Sequence, residues 1–204
     1  MNGPAPPPAS EMSEERLRAG VYALLANLLA ATPADEMLDR LEAIAVPPGG
    51  ERLDAMAEAW AGLKLAAQQA RTEAIGGEYH DLFIGLGRGE LAPYGSWYLT
   101  GFLLEKPLGQ LRRDLADLGY ERRQDEAEPE DHAAALCEVM ALLVMDEAVS
   151  LNAQRAFFDT HVGSWLERFF QDLEAAKSAR FYRAVGRLGR AFMALEQRYL
   201  AMKA

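Results

Sequence analysis

Two blocks of this 204-residue chain combine residue types that are suited to binding. In the first block, residues 78–99, an apolar helical pattern runs into glycines at alternate positions, Gly85, Gly87 and Gly89, and then into a cluster of proline and aromatic residues. Glycine at this spacing indicates a loop, because it tolerates backbone angles that are closed to other residues. Aromatic rings with one apolar and one hydrogen-bonding edge are common in recognition surfaces. A plain loop followed by core aromatic residues explains this block equally well.

The second block, Glu128 to His132, is a short acidic run that contains a proline and ends in a histidine. Pro129 predicts the first turn of a helix, where a missing N–H costs nothing. The carboxylates of Glu128, Glu130 and Asp131 favour the positive end of such a helix, so helix initiation explains them without a function. Helix initiation explains His132 less well than the carboxylates.

Other chemistries lack the sequence context that they need. A dinucleotide loop follows a strand and opens a helix, and a P-loop needs a Gly-Lys-Ser/Thr sequence, but the glycine loop has neither. None of the three histidines completes a Glu-x-x-His motif, and one cysteine with scattered histidines does not form a zinc site. Cys137 falls within a predicted helix and has no context for a nucleophile. We therefore predict that the protein is not an enzyme and holds no resident cofactor or metal.

Composition excludes further function classes. The formal net charge is −10, and no stretch concentrates Lys and Arg, so nucleic acid is not an expected partner, whereas a basic peptide is. No run of about eighteen apolar residues predicts a membrane span, and the first residues lack the pattern of a secretory signal. The single cysteine, Cys137, cannot form an intrachain disulfide, which fits a reducing compartment. These features predict a cytoplasmic protein without a transmembrane segment.

Helices position the two blocks, because apolar residues recur at steps of three and four along most of the chain. Ser13 is a candidate N-cap of the first helix and Ser178 of the last, and Ser96 can cap a short turn after the glycine loop. Residues 1–12 are rich in proline and alanine and predict a disordered tail. We predict an all-α fold without strands, formed by a single domain of about seven to nine helices over residues 13–204.

The chain resembles the TorD/DmsD/NarJ-like family of cytoplasmic chaperones that mature molybdenum-containing oxidoreductases. Members carry three motifs, Leu-Phe-x-Gly-x-Gly, Pro-Tyr/Trp-x-Ser-x-Tyr-Leu and Glu-Pro-x-Asp-His, which match residues 82–87, 93–99 and 128–132 here. The resemblance implies a TorD-like helical fold and no catalytic activity. It also implies a client, the twin-arginine signal peptide or apo form of a molybdoenzyme of the dimethyl sulfoxide or trimethylamine N-oxide reductase or formate dehydrogenase type. Holding the client would delay export until the cofactor is inserted.

The blocks and the resemblance together predict a peptide-binding site with apolar rings for the leader and carboxylates for its arginines. Asp131, His132 and, more weakly, Tyr22 are included because the resemblance implies a role for them. The predicted site residues are Tyr22, Tyr79, Leu82, Phe83, Pro93, Tyr94, Ser96, Trp97, Tyr98, Glu128, Pro129, Glu130, Asp131 and His132. The sequence departs from the family pattern at Leu86, where many relatives have proline, and at Leu136 and Cys137, where a further polar residue is expected.

Two other functions stay open at this level. The protein could carry the molybdenum cofactor or a nucleotide in the glycine-loop groove, and the resemblance leaves room for weak binding of GTP or molybdopterin. It could instead be an assembly partner that binds only the folded core of a molybdoenzyme that is not exported. The resemblance is compatible with a monomer and with a domain-swapped dimer.

Overall fold

The computed structural model describes residues 13–46, 55–85, 89–120 and 128–203, and this part of the chain contains ten α-helices. Their bounds are α1 (Glu14–Ala30), α2 (Asp35–Glu42), α3 (Ala55–Gln69), α4 (Thr72–Tyr79), α5 (Gly95–Thr100), α6 (Lys106–Asp117), α7 (Ala133–Met145), α8 (Leu151–Phe157), α9 (Leu166–Ala175) and α10 (Phe181–Lys203). Two π-helical segments, π1 (His80–Ile84) and π2 (Phe158–Val162), directly follow α4 and α8.

The predicted all-α class is confirmed. The helices exceed the predicted range of seven to nine because the short turn after the glycine loop is a complete helix, α5. Ser13 caps α1 as predicted, since its hydroxyl accepts a hydrogen bond from the Arg16 N–H at 3.4 Å. The predicted tail over residues 1–12 lies outside the described residues.

Two sets of packed helices form the core. Helix α1 lies along α7, and α10 packs on both α9 and α3. Tyr22, Leu25 and Leu28 of α1 and Met140 and Leu143 of α7 are completely buried. Burial of such apolar area, at about 25 cal/mol per Å², is the main contribution that holds these helices together. Among the described helices, none is long and apolar enough to cross a lipid bilayer.

The acidic block does not begin a helix at Pro129 as predicted. Residues 129–132 form a turn in which the His132 N–H donates to the Pro129 carbonyl at 3.1 Å. Helix α7 begins at Ala133, and His132 is its N-cap, because its Nδ1 accepts from the Ala134 N–H at 3.1 Å. Pro129 therefore lies in the turn that precedes α7, and His132 supplies the N-cap of that helix.

Two other predicted caps are also wrong. Ser96 lies inside α5, and its hydroxyl accepts instead from the Leu104 N–H at 3.2 Å. Ser178 does not cap α10, which begins three residues later at Phe181. The N-terminus of α10 is capped from a distance by Glu78, whose carboxylate accepts from three consecutive backbone N–H groups at 2.7–3.1 Å. A carboxylate at this end also interacts favourably with the helix dipole.

Replacing Gly186 with alanine is expected to lower the free energy of unfolding by about 1–3 kcal/mol, the usual cost of overpacking. A β-carbon at Gly186 would lie 2.6 Å from the Glu174 backbone nitrogen and 2.9 Å from the Phe170 carbonyl oxygen, so α9 and α10 would have to move apart. Gly20→Ala is the matched control, because that site is exposed and has no neighbour within 4 Å. Urea unfolding followed by circular dichroism should show the control to be neutral or stabilising; equal effects would contradict the close approach.

Candidate functional site

The two sequence blocks meet in the structure through a set of hydrogen bonds that we call the junction, residues 93–96 and 128–133. The Gly95 N–H donates to the Asp131 carbonyl at 2.9 Å, and the Ala133 N–H donates to the Pro93 carbonyl at 2.8 Å. Tyr94 and His132 form an isolated antiparallel bridge between these bonds. The backbone of the aromatic block is therefore tied directly to the backbone of the acidic block.

Side chains reinforce the junction. The Asp131 carboxylate accepts from the Ser96 N–H at 2.7 Å, and the Tyr94 hydroxyl donates to Glu128 Oε2 at 2.6 Å. The Tyr94 and His132 rings pack edge to face, with 5.1 Å between their centroids. Burial, and then the hydrogen bond to Glu128, raise the pKa of Tyr94, so its hydroxyl stays a neutral donor.

The junction forms one side of an open groove of about 670 Å³, which we call the Tyr94 groove. Segment π1 forms a second side, and the C-terminal end of α1 forms a third. The lining residues are Ala30, Ala31, Thr32, Gly76, Tyr79, His80, Phe83, Ile84, Pro93, Tyr94, Glu128 and His132. π-helical segments occur frequently at functional sites, because the extra residue re-aims side chains relative to a regular helix.

The apolar side of the groove is held in place by ring packing. Phe83 packs edge-on against Tyr79, with centroids 5.1 Å apart, and against the buried Tyr182 at 5.5 Å. The Tyr79 hydroxyl donates to the carbonyls of Leu29 and Ala30 at 3.2 and 3.0 Å and so links the end of α4 to the end of α1. Burial, and then the negative charge of Glu128, raise the pKa of Tyr79. These rings form a preorganised apolar wall.

The three carboxylates of the acidic block do not act together. Glu128 is exposed and lines the Tyr94 groove. Glu130 forms a bidentate ion pair with Arg112, with distances of 3.0 and 2.9 Å. Asp131 is 3% exposed and lines a different cavity. Of the three, only Glu128 is placed to meet a ligand in the groove.

Several predicted site residues lie outside the groove. Tyr22, Leu82 and Ser96 are each 0% exposed, so a peptide cannot reach their side chains in this structure. Tyr98 packs against Trp165, and its hydroxyl donates to Asp172 at 3.0 Å. Trp97 and Pro129 are half-buried and do not line the groove. The aromatic block therefore divides, and its first residues, Pro93 and Tyr94, line the groove.

Comparison with known proteins identifies the family. A family profile described as nitrate reductase delta subunit matches residues 51–171, which is more than half of the chain. This chain belongs to the TorD/NarJ-like family. Chaperone protein TorD of Aliivibrio fischeri is 27% identical over 208 residues, which cover 90% of this chain and 94% of that protein. Chaperone protein TorD of Vibrio cholerae is 31% identical over 136 residues, which cover 62% of this chain and 61% of that protein.

The fold agrees with this assignment. A candidate redox enzyme maturation protein from Archaeoglobus fulgidus has a crystal structure that superposes with a TM-score of 0.60 at 18% identity, over 93% of this chain and 99% of that one. The family that the three motifs predict is confirmed. The curated relatives of this TorD/NarJ-like chain are named as chaperones, which is a non-catalytic role.

The groove of this TorD/NarJ-like protein contains residues that the sequence reasoning missed. Gly76, His80 and Ile84 follow one another at four-residue steps beside Tyr79 and Phe83, so extending the helical period along the first block would have found them. Ala30, Ala31 and Thr32 carry no comparable signal. They reach the groove only because α1 ends beside the junction.

No group of three or more His, Cys, Asp and Glu side chains could hold a metal ion in the part of the chain that the structure covers. Cys137 is completely buried, and burial raises the pKa of its thiol to about 12, so it is not a thiolate near neutral pH.

Proposed function

We propose that this protein is a maturation chaperone that binds the twin-arginine signal peptide of a molybdoenzyme in the Tyr94 groove. Holding the leader would delay export until the cofactor is inserted, and this role belongs in the cytoplasm. One observation supports the proposal above all others, namely that the groove joins the rings of Tyr79 and Phe83 to the acidic group of Glu128 in a single opening. A twin-arginine leader has the complementary chemistry, with two cationic side chains followed by an apolar segment.

The apolar part of the leader would lie against Tyr79, Phe83 and Ile84. Ile84 is 55% exposed, although it is a large aliphatic side chain at the edge of the groove. Covering such surface contributes about 25 cal/mol per Å² of apolar area removed from water. The volume of about 670 Å³ lies within the range of about 300–1,000 Å³ that is typical of binding pockets.

The arginine part of the leader would meet Glu128. Hydrogen bonds to a charged group contribute roughly 1.5–3 kcal/mol when they are shielded from water. The Tyr94 hydroxyl holds Glu128 at the groove, so a guanidinium would meet an oriented carboxylate. Glu130 and Asp131 do not share this role, because Arg112 pairs with Glu130 and Asp131 lies at another cavity.

Replacing Glu128 with glutamine is expected to raise the Kd of an Arg-Arg leader peptide at least tenfold, which corresponds to about 1.4 kcal/mol. The variant keeps the size of the side chain but removes its charge. Isothermal titration calorimetry measures the effect, with a peptide of equal length in which both arginines are replaced by glutamine as reference. The wild-type affinity for the Arg-Arg peptide should also fall with rising salt.

Glu130→Gln is the matched control for Glu128→Gln. It removes the same charge two residues away, but from a carboxylate that is paired with Arg112. We expect the control to bind the leader with near wild-type affinity. Equal weakening by both variants would mean that general acidity, and not the groove, attracts the leader. No weakening by Glu128→Gln would remove this residue from the site.

The remaining predictions about ligands and assembly stay predictions. Leu86, Gly87 and Arg88 of the glycine loop lie outside the described residues, so nucleotide or molybdopterin binding there gains no support. The described ends of the loop fold back on π1, where the Leu91 N–H donates to the Leu82 carbonyl at 2.8 Å. Binding of a client that lacks its leader would favour an assembly partner of the folded core, and a pull-down with leaderless client tests this.

A further inference from the structure

A second cavity of about 730 Å³ shares no lining residue with the Tyr94 groove, and we call it the Asp131 cavity. The junction contributes to both openings, with Tyr94 and His132 at the groove and Gly95 and Asp131 at the cavity. The other sides come from α5, α6, α7 and π2. The lining residues are Gly95, Leu99, Thr100, Lys106, Pro107, Gly109, Gln110, Leu111, Arg113, Asp131, Leu136, Thr160, His161 and Trp165.

Asp131 brings an unsatisfied acceptor to this cavity. Its Oδ2 accepts from the Ser96 N–H at 2.7 Å, whereas Oδ1 is buried and has no hydrogen-bond partner among the described residues. A buried acceptor without a donor costs free energy, because water no longer hydrates it. A ligand that offers an N–H or O–H group at this position would recover that cost. The backbone N–H of an extended peptide is such a donor, as Ser96 already shows on the other oxygen.

Helix α6 contributes two cationic side chains to the lining of the cavity. Lys106 and Arg113 are seven residues apart, so both project from one face of the helix. Both are exposed, and within the described ranges neither forms an ion pair, in contrast to the neighbouring Arg112, which pairs with Glu130. Two exposed cations at one cavity of a chain of net charge −10 favour an anionic group there.

Apolar side chains also line the cavity, and the surface next to it is apolar. Leu111, Leu136 and Trp165 line the interior. The loop between α5 and α6 exposes Phe102, Leu103 and Leu104 by 69%, 51% and 66%. Leu104 has a φ of 61°, which is uncommon for a residue other than glycine. Ser96 holds this conformation through its hydrogen bond to the Leu104 N–H, so the junction also supports the apolar loop.

Besides Asp131, which lines the cavity, Asp114 lies next to it and pairs with a lining residue. The His161 ring, which lines the cavity, lies with Nε2 2.6 Å from Asp114 Oδ2, and Asp114 itself is not a lining residue. The indole N–H of Trp165 donates to the His161 carbonyl at 2.8 Å, which fixes the ring of Trp165. Segment π2 supplies His161, so each of the two π-helical segments lines one of the two openings.

We propose that the Asp131 cavity is a second peptide-binding site, which takes an extended client segment with an acidic residue between apolar ones. The backbone N–H of the segment donates to Asp131 Oδ1, its apolar side chains lie against Leu99 and the exposed loop residues 102–104, and its carboxylate meets Lys106 and Arg113. This segment lies outside the twin-arginine leader, whose charge is opposite. The identity of the client rests on the proposed function, but the chemistry of the cavity does not.

The test uses the full chain and a probe peptide, acetyl-Gly-Leu-Glu-Leu-Gly-amide, with a matched peptide that carries lysine in place of glutamate. Titration followed by NMR should shift the Trp165 indole N–H resonance, which Trp165→Phe identifies. The glutamate peptide is expected to bind at least tenfold more tightly than the lysine peptide. Absence of a shift with the glutamate peptide, or equal affinity for both peptides, would overturn the proposal.

Gly109→Leu is expected to raise the Kd of the glutamate peptide at least tenfold by filling the cavity. A β-carbon at Gly109 meets only Arg113 Nη1, at 3.9 Å, so the fold has room for the side chain. Gly20→Leu, on the exposed surface of α1, is the matched control and should bind normally. Arg113→Gln, at an exposed position, should weaken binding at least threefold without a change in folding. Wild-type affinity in both Gly109→Leu and Arg113→Gln would contradict the proposal.

The same variants separate this proposal from the leader-binding function. Gly109→Leu should leave the affinity for the Arg-Arg leader peptide unchanged, because Gly109 does not line the Tyr94 groove. If the wild-type protein binds the glutamate peptide but no leader, the proposed function fails and the second site stands. If it binds the leader but not the glutamate peptide, the second site fails alone.

Discussion

Glu196→Ala is expected to lower the free energy of unfolding by about 3–5 kcal/mol, because it leaves a buried arginine without its counter-ion. Arg18 is 6% exposed and Glu196 is 1% exposed, and their bidentate hydrogen bonds measure 2.8 and 2.9 Å. Burial alone would lower the pKa of Arg18, but the hydrogen bonds and charge of Glu196 raise it overall. The Tyr22 hydroxyl also donates to Glu196, at 3.2 Å. Urea or thermal unfolding measures the loss.

Two further variants show whether the charge causes this effect. Arg18→Met combined with Glu196→Leu removes both charges and should recover most of the stability, since apolar replacements of buried pairs are often close to neutral. Glu14→Ala removes a partner of Lys203 from an ion pair whose side chains are 61% and 50% exposed, and it should have little effect. A double variant as unstable as Glu196→Ala would indicate that lost packing dominates.

Glu78→Ala is expected to lower the free energy of unfolding by at least about 3 kcal/mol, because each hydrogen bond to a charged group contributes roughly 1.5–3 kcal/mol. Glu78 is 9% exposed and accepts from the backbone N–H groups of Arg180, Phe181 and Tyr182 at 2.8, 3.1 and 2.7 Å. Without Glu78, these three N–H groups at the start of α10 lose their hydrogen-bond acceptor at a partly buried position. Urea unfolding measures the loss, and amide hydrogen exchange at residues 180–182 locates it.

Glu90→Ala is the matched control for Glu78→Ala. Glu90 is exposed and accepts from the N–H groups of Lys177 and Ser178 at 2.7 and 3.0 Å, so its removal should cost less. Partial burial would raise the pKa of Glu90, but these backbone donors lower it overall. The stabilisation is therefore present above the ordinary pKa of 4.5 and is lost as the pH falls below it. If the loss of unfolding free energy in Glu90→Ala does not become smaller at low pH, the charged Glu90 carboxylate does not stabilise this segment.

The local features of the fold were predictable because they depend on neighbouring residues. The apolar period predicted an all-α chain. The Ser13 cap was also predictable, because its hydroxyl accepts a hydrogen bond from the N–H of Arg16, only three residues later. The wrong caps have a common cause. Ser178 satisfied every local rule, but Glu78 stands more than a hundred residues earlier and reaches the same helix end through tertiary packing.

At the candidate site, too, the sequence predicted some placements, and tertiary contacts decided the others. Tyr79, Phe83, Pro93, Tyr94, Glu128 and His132 were predicted together and do line one groove. Ser96 and Tyr98 belong to the same motif, but the helical turn of α5 carries both away from the groove, Ser96 into the interior and Tyr98 toward Trp165 and Asp172. Glu130 and Asp131 were predicted to act with Glu128, but Arg112 and Ser96 bind them from other elements.

By itself the sequence determined that this chain is helical and that it belongs to the TorD/NarJ-like family, and it predicted that two blocks hold binding residues. Periodicity and motif spacing are local properties, so they can be read without coordinates. Only the tertiary structure decided which carboxylate faces which opening. Consecutive residues of the turn at 128–132 point in different directions, and the partners that bind them come from distant parts of the chain, so Glu128 lines the groove while Asp131 lines the cavity.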